Sequence, residues 1–137
     1  MSPSSPRLLR VYETVLYAPE IPAAAAFYAN VLGLRLVEEP DELAAAFRLD
    51  DGGVLLLFDP ERAAAPNRRV PSHGAVGAGH VAFTVEPGGL DAWADALRGR
   101  GIEIEREISW EQGRRSLYFR DPAGNSVELV DGDLWPP

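Results

Sequence analysis

From Arg115 to Val130 the chain alternates as two β-prone runs around one cluster of turn formers. Ser116 to Arg120 is the first run, Asp121-Pro122-Ala123-Gly124-Asn125 carries the turn, and Ser126 to Val130 is the second. A period of two puts Ser126, Glu128 and Val130 on one strand face and Val127 and Leu129 on the other. A carboxylate in such apolar company points either to water or into a cavity.

The pattern upstream has the same grammar. Leu8 to Tyr17 predicts a first strand with Glu13, Val15 and Tyr17 on one face, ended by Pro19 and Pro22. Ala23 to Val31 predicts a helix, with Pro22 tolerated in its first turn and Phe27, Tyr28, Val31 and Leu32 as its apolar stripe. Gly33 is placed to cap it. Strands are expected over Leu34 to Glu38, Ala44 to Leu49 and Val54 to Phe58, the last two joined by a hairpin turn at Asp50-Asp51-Gly52-Gly53. Residues 61–78, rich in Pro, Ala, Arg and Gly, read as a linker long enough to be a mobile loop or an exchange hinge between subunits.

Then the pattern starts again. Gly79 to Val85 is strand-like, Leu90 to Arg98 is a helix with Leu90, Trp93, Ala94 and Leu97 as its stripe, Gly101 caps it, and Ile102 to Ile108 is a strand before the last hairpin. Both halves read β-α-β-β-β. Overlaid, Glu13 falls on His80, Gly33 on Gly101, Phe47-Arg48 on Phe119-Arg120, and Gly52 on Gly124. With one small gap at the helix start and a slightly longer loop in the second half, Leu56 falls on Glu128. A duplicated unit of this kind can curl two sheets around one cleft, whose centre receives positions 13, 56, 80 and 128. Three of those four are Glu, His and Glu.

Composition narrows what such a cleft does. At 137 residues and 46% hydrophobic content the chain suits one domain, taken as residues 8–134 with modules at about 8–60 and 79–134. There is no cysteine, which excludes disulfides and thiol nucleophiles. A net charge of −8 argues against a nucleic-acid partner and favours metal ions or cationic ligands. The apolar runs are too short to span a bilayer, and residues 1–7 have no signal-type core and are expected as a frayed tail, so a soluble, cytoplasmic protein is the default.

Taken singly, Glu13 or Glu128 is more often a solvated strand residue, and His80 a hydrogen-bonded structural imidazole. Jointly, at equivalent positions of a repeat, they form a ligand set for Mn²⁺, Fe²⁺, Ni²⁺ or Zn²⁺, with coordination positions left open for substrate.

These motifs resemble the vicinal oxygen chelate superfamily: glyoxalase I, extradiol dioxygenases, fosfomycin-resistance enzymes, methylmalonyl-CoA epimerase and bleomycin-resistance proteins. The resemblance rests on Ala26-Phe-Tyr-Ala-Asn-Val-Leu-Gly-Leu34, Gly79-His-Val-Ala-Phe83 and Leu117-Tyr-Phe-Arg-Asp-Pro-Ala-Gly-Asn-Ser-Val-Glu-Leu129. It implies an α+β fold of two βαβββ modules pairing into a curled mixed β-sheet cleft, usually in a homodimer. It also implies that Glu13, His80 and Glu128 are the metal ligands, and that in some members the modules swap so that two subunits share one site. Tyr118 is then a cleft residue that donates to a substrate oxygen, with the alternative of an amphipathic core tyrosine whose hydroxyl lies at the surface, and Glu13 or Glu128 doubles as a base on loosening from the ion. Arg120, Trp110 and Arg114 are further substrate-side candidates; Arg120 also has the alternative of pairing with nearby acids.

The pattern departs from the named members. The first-strand ligand is commonly His and here is Glu13; extradiol dioxygenases use two His, whereas this chain's second histidine, His73, lies in the linker; Leu56 stands where glyoxalase I has a fourth ligand. The expected function is a metal-dependent enzyme acting on a small oxygen-bearing substrate. The alternative is a metal-free, bleomycin-resistance-type protein that sequesters a cationic small molecule in an acidic, aromatic groove.

Overall fold

The structure, a computed structural model, describes residues 5–137, so the first part of the expected tail lies outside the described residues. The order is β1 (Glu13–Tyr17), α1 (Ile21–Ala26), β2 (Arg35–Leu36), β3 (Ala44–Arg48), β4 (Val54–Phe58), α2 (Pro60–Ala63), β5 (His80–Thr84), α3 (Leu90–Gly99), β6 (Arg106–Ser109), β7 (Arg115–Arg120) and β8 (Ser126–Asp131). The strands form two four-stranded mixed sheets, β1-β4-β3-β2 and β5-β8-β7-β6. This is the α+β arrangement of two βαβββ modules that the repeat predicts. No helix among the described residues is long and apolar enough to cross a membrane.

The duplication extends to register. β1 runs parallel to β4 with Val15 opposite Leu56, and β5 runs parallel to β8 with Ala82 opposite Glu128. Glu13 and His80 each open their strand, two residues before those pairs. Gly33 and Gly101 follow the two helices at φ +72° and +75°, a left-handed conformation that costs an L side chain about 1–2 kcal/mol. Arg48 donates to the carbonyl of Gly52 at 3.0 Å, and Arg120 donates to that of Gly124 at 3.1 Å. The overlay of these arginines therefore has a physical cause: each clamps its own hairpin.

Several elements differ from expectation, among them β2, reduced from the expected Leu34–Glu38 to Arg35–Leu36, and β6, which begins at Arg106 rather than Ile102. β1 begins at Glu13, and Leu8, Leu9, Val11 and Tyr12 are exposed. Among the described residues the last bond of this ladder is Val54 N–H to the Tyr12 carbonyl, where β4 itself begins after the turn at Asp50–Gly53. The first helix is α-helical only to Ala26; Phe27–Val31 widens to i→i−5 bonding, with Leu32 N–H reaching the Phe27 carbonyl. The linker contains α2, capped by the Asp59 carboxylate, which accepts from Glu61 and Arg62 N–H.

One core joins the modules. Leu16, Phe47, Leu55 and Leu57 from the first sheet and Leu117, Phe119, Val127 and Leu129 from the second share it with α1 and α3. Each large side chain buried there is worth about 1.5–3 kcal/mol. A polar lock sits beside it. Tyr28 donates to Asp121 Oδ2 at 2.7 Å, while Ala123 and Asn125 N–H donate to Oδ1. The Asn125 side chain donates to the Tyr17 carbonyl and Asp121 Oδ2, and accepts from Gly79 N–H. The turn formers of the last hairpin thus also fasten one module to the other.

Strand parity then fixes where the cleft faces lie. With Leu16, Leu55 and Leu57 turned inward, Glu13, Val15, Tyr17, Leu56 and Phe58 occupy the opposite face of the first sheet. With Leu117, Phe119, Val127 and Leu129 inward, His80, Ser116, Tyr118 and Glu128 occupy the opposite face of the second. Within one chain the two cleft faces look away from their shared core.

Candidate metal centre

Glu128 lies mid-strand on β8, opposite Tyr118 of β7 and Ala82 of β5, and is only 7% exposed. Its carboxylate has two different neighbours. Oε2 accepts from the Ser116 hydroxyl at 2.6 Å, and Ser116 Oγ in turn accepts from Trp110 Nε1–H at 2.9 Å. Oε1 lies 3.3 Å from His80 Nε2. The other imidazole nitrogen, Nδ1, is 3.1 Å from the Ser126 carbonyl, which can only accept, so Nδ1 carries the proton. The Nε2 lone pair therefore confronts a carboxylate oxygen, and a cation belongs between them: a proton, making the ring imidazolium, or a metal ion.

Tyr118 completes this face. Its ring stacks on that of His80 at 6.4 Å between centroids and 23° between planes. Burial, and then the Glu128 carboxylate beside it, push the phenol up from its ordinary value, with Ser116 opposing. The hydroxyl is thus held in its donor form next to the carboxylate.

The other expected residues are placed as follows. Glu13 opens β1 on the first sheet and does not join His80 and Glu128; among the described residues no three His, Asp or Glu side chains of one chain converge to hold an ion. Trp110 holds Ser116 and lines the site as an exposed aromatic. Arg114 donates to the carbonyls of Glu111 and Asp133, and so fastens its own loop to the segment after β8. Arg120 makes paired contacts with Glu105 at 3.2 Å each, in addition to its turn clamp. Arg114 and Arg120 are therefore already engaged within the chain. Ser116 was missed by the sequence pattern, although it shares a strand face with Tyr118; the register that brings it to Glu128 was not visible.

A protein-family model described as the Glyoxalase/Bleomycin resistance protein/Dioxygenase superfamily matches residues 10–129. The chain belongs to this superfamily. Biphenyl-2,3-diol 1,2-dioxygenase 3 of Rhodococcus globerulus is 33% identical over 123 residues, 88% of this chain and 62% of that protein. The chain thus spans about three-fifths of that dioxygenase's length. Metallothiol transferase FosB of Staphylococcus saprophyticus is 30% identical over 79% of this chain and 67% of its own. Among solved structures, lactoylglutathione lyase from Agrobacterium tumefaciens is 39% identical, covers 93% of this chain and 97% of its own, and superposes with a TM-score of 0.86. All three bear the names of enzymes, in keeping with the expectation that this chain is one.

The residues of the second sheet fit a divalent cation. One imidazole and one carboxylate are donors that Mn²⁺, Fe²⁺, Ni²⁺ and Zn²⁺ accept, and their 3.3 Å spacing is compatible with two donors each about 2.0–2.2 Å from one ion. Both side chains are oriented by a second hydrogen bond, His80 through Ser126 and Glu128 through Ser116, an arrangement common among metal ligands.

Proposed function

We propose that the chain is a metal-dependent enzyme acting on a small oxygen-bearing substrate, with His80 and Glu128 holding a divalent ion together with Glu13 from a second copy of the chain. The observation that carries this is the His80 Nε2 lone pair facing the free oxygen of a buried, otherwise satisfied carboxylate. The bound ion would supply Lewis acidity, polarising substrate oxygens and stabilising negative charge that develops on them. Glu128 is held by Ser116 so that Oε1 stays directed at His80, and the Tyr118 phenol stands ready to donate to a substrate oxygen. Trp110 shields the carboxylate's supporting bond.

A shared site follows from where the faces lie. Glu13 occupies in its module the place of His80 in the other, yet the two outer faces diverge within one chain. The edges support a homodimer: among the described strands β1 bonds to β4 alone and β5 to β8 alone, and exposed Leu8, Leu9, Val11 and Tyr12 precede β1. Pairing β1 of one copy against β5 of another would bring Glu13 toward His80 and Glu128 and cover both open edges.

Elemental analysis tests the metal directly. Protein dialysed and reloaded with Mn²⁺, Fe²⁺, Ni²⁺ or Zn²⁺ should retain about one ion per chain, and Glu128→Ala should retain none. Wild-type protein that takes up no metal at any loading would contradict the proposal.

A further inference from the structure

The segment between the modules reaches back onto the outer face of the first sheet. Tyr17 and Phe58 end β1 and β4 in register, on the same face as Glu13 and Leu56. His73 N–H and Arg68 Nη1 both donate to the Ala63 carbonyl at 3.0 Å, and the Ser72 hydroxyl donates to that of Ala65. These contacts close the segment on itself, and it meets the end of the sheet through His73 and through Arg68, whose guanidinium lies 5.8 Å from the Phe58 ring centroid. The His73 ring then lies edge-on to Phe58 at 4.7 Å, with Nδ1 2.6 Å from the Tyr17 hydroxyl.

One backbone bond and two side-chain bonds to carbonyls already close the segment's own turn, and the Tyr17–His73 bond adds something different: it orients an imidazole on the sheet. Its other nitrogen, Nε2, makes no hydrogen bond to any described residue, and the ring is half-buried rather than sealed in the core. Whichever partner donates across the 2.6 Å bond, Nε2 is left with the complementary capacity, as donor or as acceptor. The location is also informative. Leu56 is the equivalent of Glu128, and Phe58 and Tyr17 stand two residues further along the same face, about 6–7 Å at strand rise. The first sheet thus places an oriented imidazole one step beyond the position where the second sheet has its carboxylate.

Resting on the metal-site proposal above, we infer that His73, oriented by Tyr17, is a substrate-contacting residue of the shared cleft. Its Nε2 would hydrogen-bond an oxygen of the substrate, while Phe58 and Tyr17 on one half of the cleft and Tyr118 and Trp110 on the other offer aromatic walls suited to a small planar molecule.

The test uses full-length protein loaded with Zn²⁺, which is redox-inert, and 4-nitrocatechol as an absorbance probe of binding. His73→Ala should keep the wild-type metal content and a single cooperative unfolding transition while losing about tenfold in probe affinity, the scale of one hydrogen bond. His73→Gln or added imidazole should restore part of the loss, and Tyr17→Phe should weaken binding less. Unchanged affinity in His73→Ala overturns the inference and leaves the metal site standing. So does wild-type protein that loads zinc and ignores the probe. Loss of metal in His73→Ala would mark the residue as a structural pin, also against the inference. Failure of the wild type to load metal overturns both proposals.

Discussion

Deleting one oxygen atom tests how the modules are fastened. In Tyr28→Phe the ring keeps its packing against Phe27 and Phe47, and only the 2.7 Å bond to Asp121 is lost. A hydrogen bond to a charged group is worth about 1.5–3 kcal/mol. Asp121 retains Ala123 N–H, Asn125 N–H and the Asn125 side chain, at 2.9, 2.9 and 3.0 Å, so the carboxylate is not stripped and the lower end applies. At about 2.1 cal/mol/K of unfolding entropy per residue, a loss of about 1.5 kcal/mol lowers the midpoint of this chain by about 5 °C. The pH dependence gives an independent check. Burial first, and then Asp121, hold the Tyr28 phenol far above its ordinary value. The unfolded chain releases this proton above about pH 10 while the folded chain keeps it, so the contribution is complete below pH 10 and lost above it. Wild type should therefore lose stability relative to Tyr28→Phe by about 1.4 kcal/mol per pH unit past 10, closing the gap near pH 11. Urea unfolding at pH 8 and pH 11 reads both effects. A loss below about 0.3 kcal/mol at pH 8, or a gap that does not narrow, would refute the lock.

Other substitutions separate support from ligation. Ser116→Ala frees one oxygen of Glu128 and should weaken metal binding about 10–100-fold in a chelator competition, with the fold intact. Asn125→Ala removes the acceptor of Gly79 N–H and the donor to Tyr17 and Asp121; urea melts should show a loss of about 3 kcal/mol. Gly101→Ala meets no atom within 4 Å, so only its backbone conformation resists, and thermal melts should show a loss of about 1–2 kcal/mol.

Much of this was legible because it is local or repeated. β4 runs from Val54 to Phe58 as read, the two glycine caps take the left-handed conformation their positions demand, and the overlay of Glu13 on His80 and Leu56 on Glu128 matches the observed register. What escaped depends on partners distant in sequence. Leu8 to Tyr12 alternates like a strand, yet among the described residues its backbone bonds to β4 end at Tyr12. Asp121 and Asn125 read as turn formers, which they are, yet their side chains also reach Tyr28 and Tyr17 in the other module. Ser116 supports Glu128 only through the β7–β8 register. Arg120 reads from the sequence as a residue that pairs with a nearby acid rather than with substrate, but which acid depends on the fold, which brings Glu105 beside it.

The central claim, a metal site shared between two copies, is met most directly by complementation. Glu13→Ala and Glu128→Ala chains, carrying different tags, are unfolded together, refolded, and the doubly tagged dimers analysed for metal. Each variant alone should hold no ion, whereas a mixed dimer should hold about one, because one of its two clefts pairs an intact Glu13 from one chain with an intact His80 and Glu128 from the other. Mixed dimers as empty as the parents, or a Glu13→Ala protein that keeps its full complement, would contradict it.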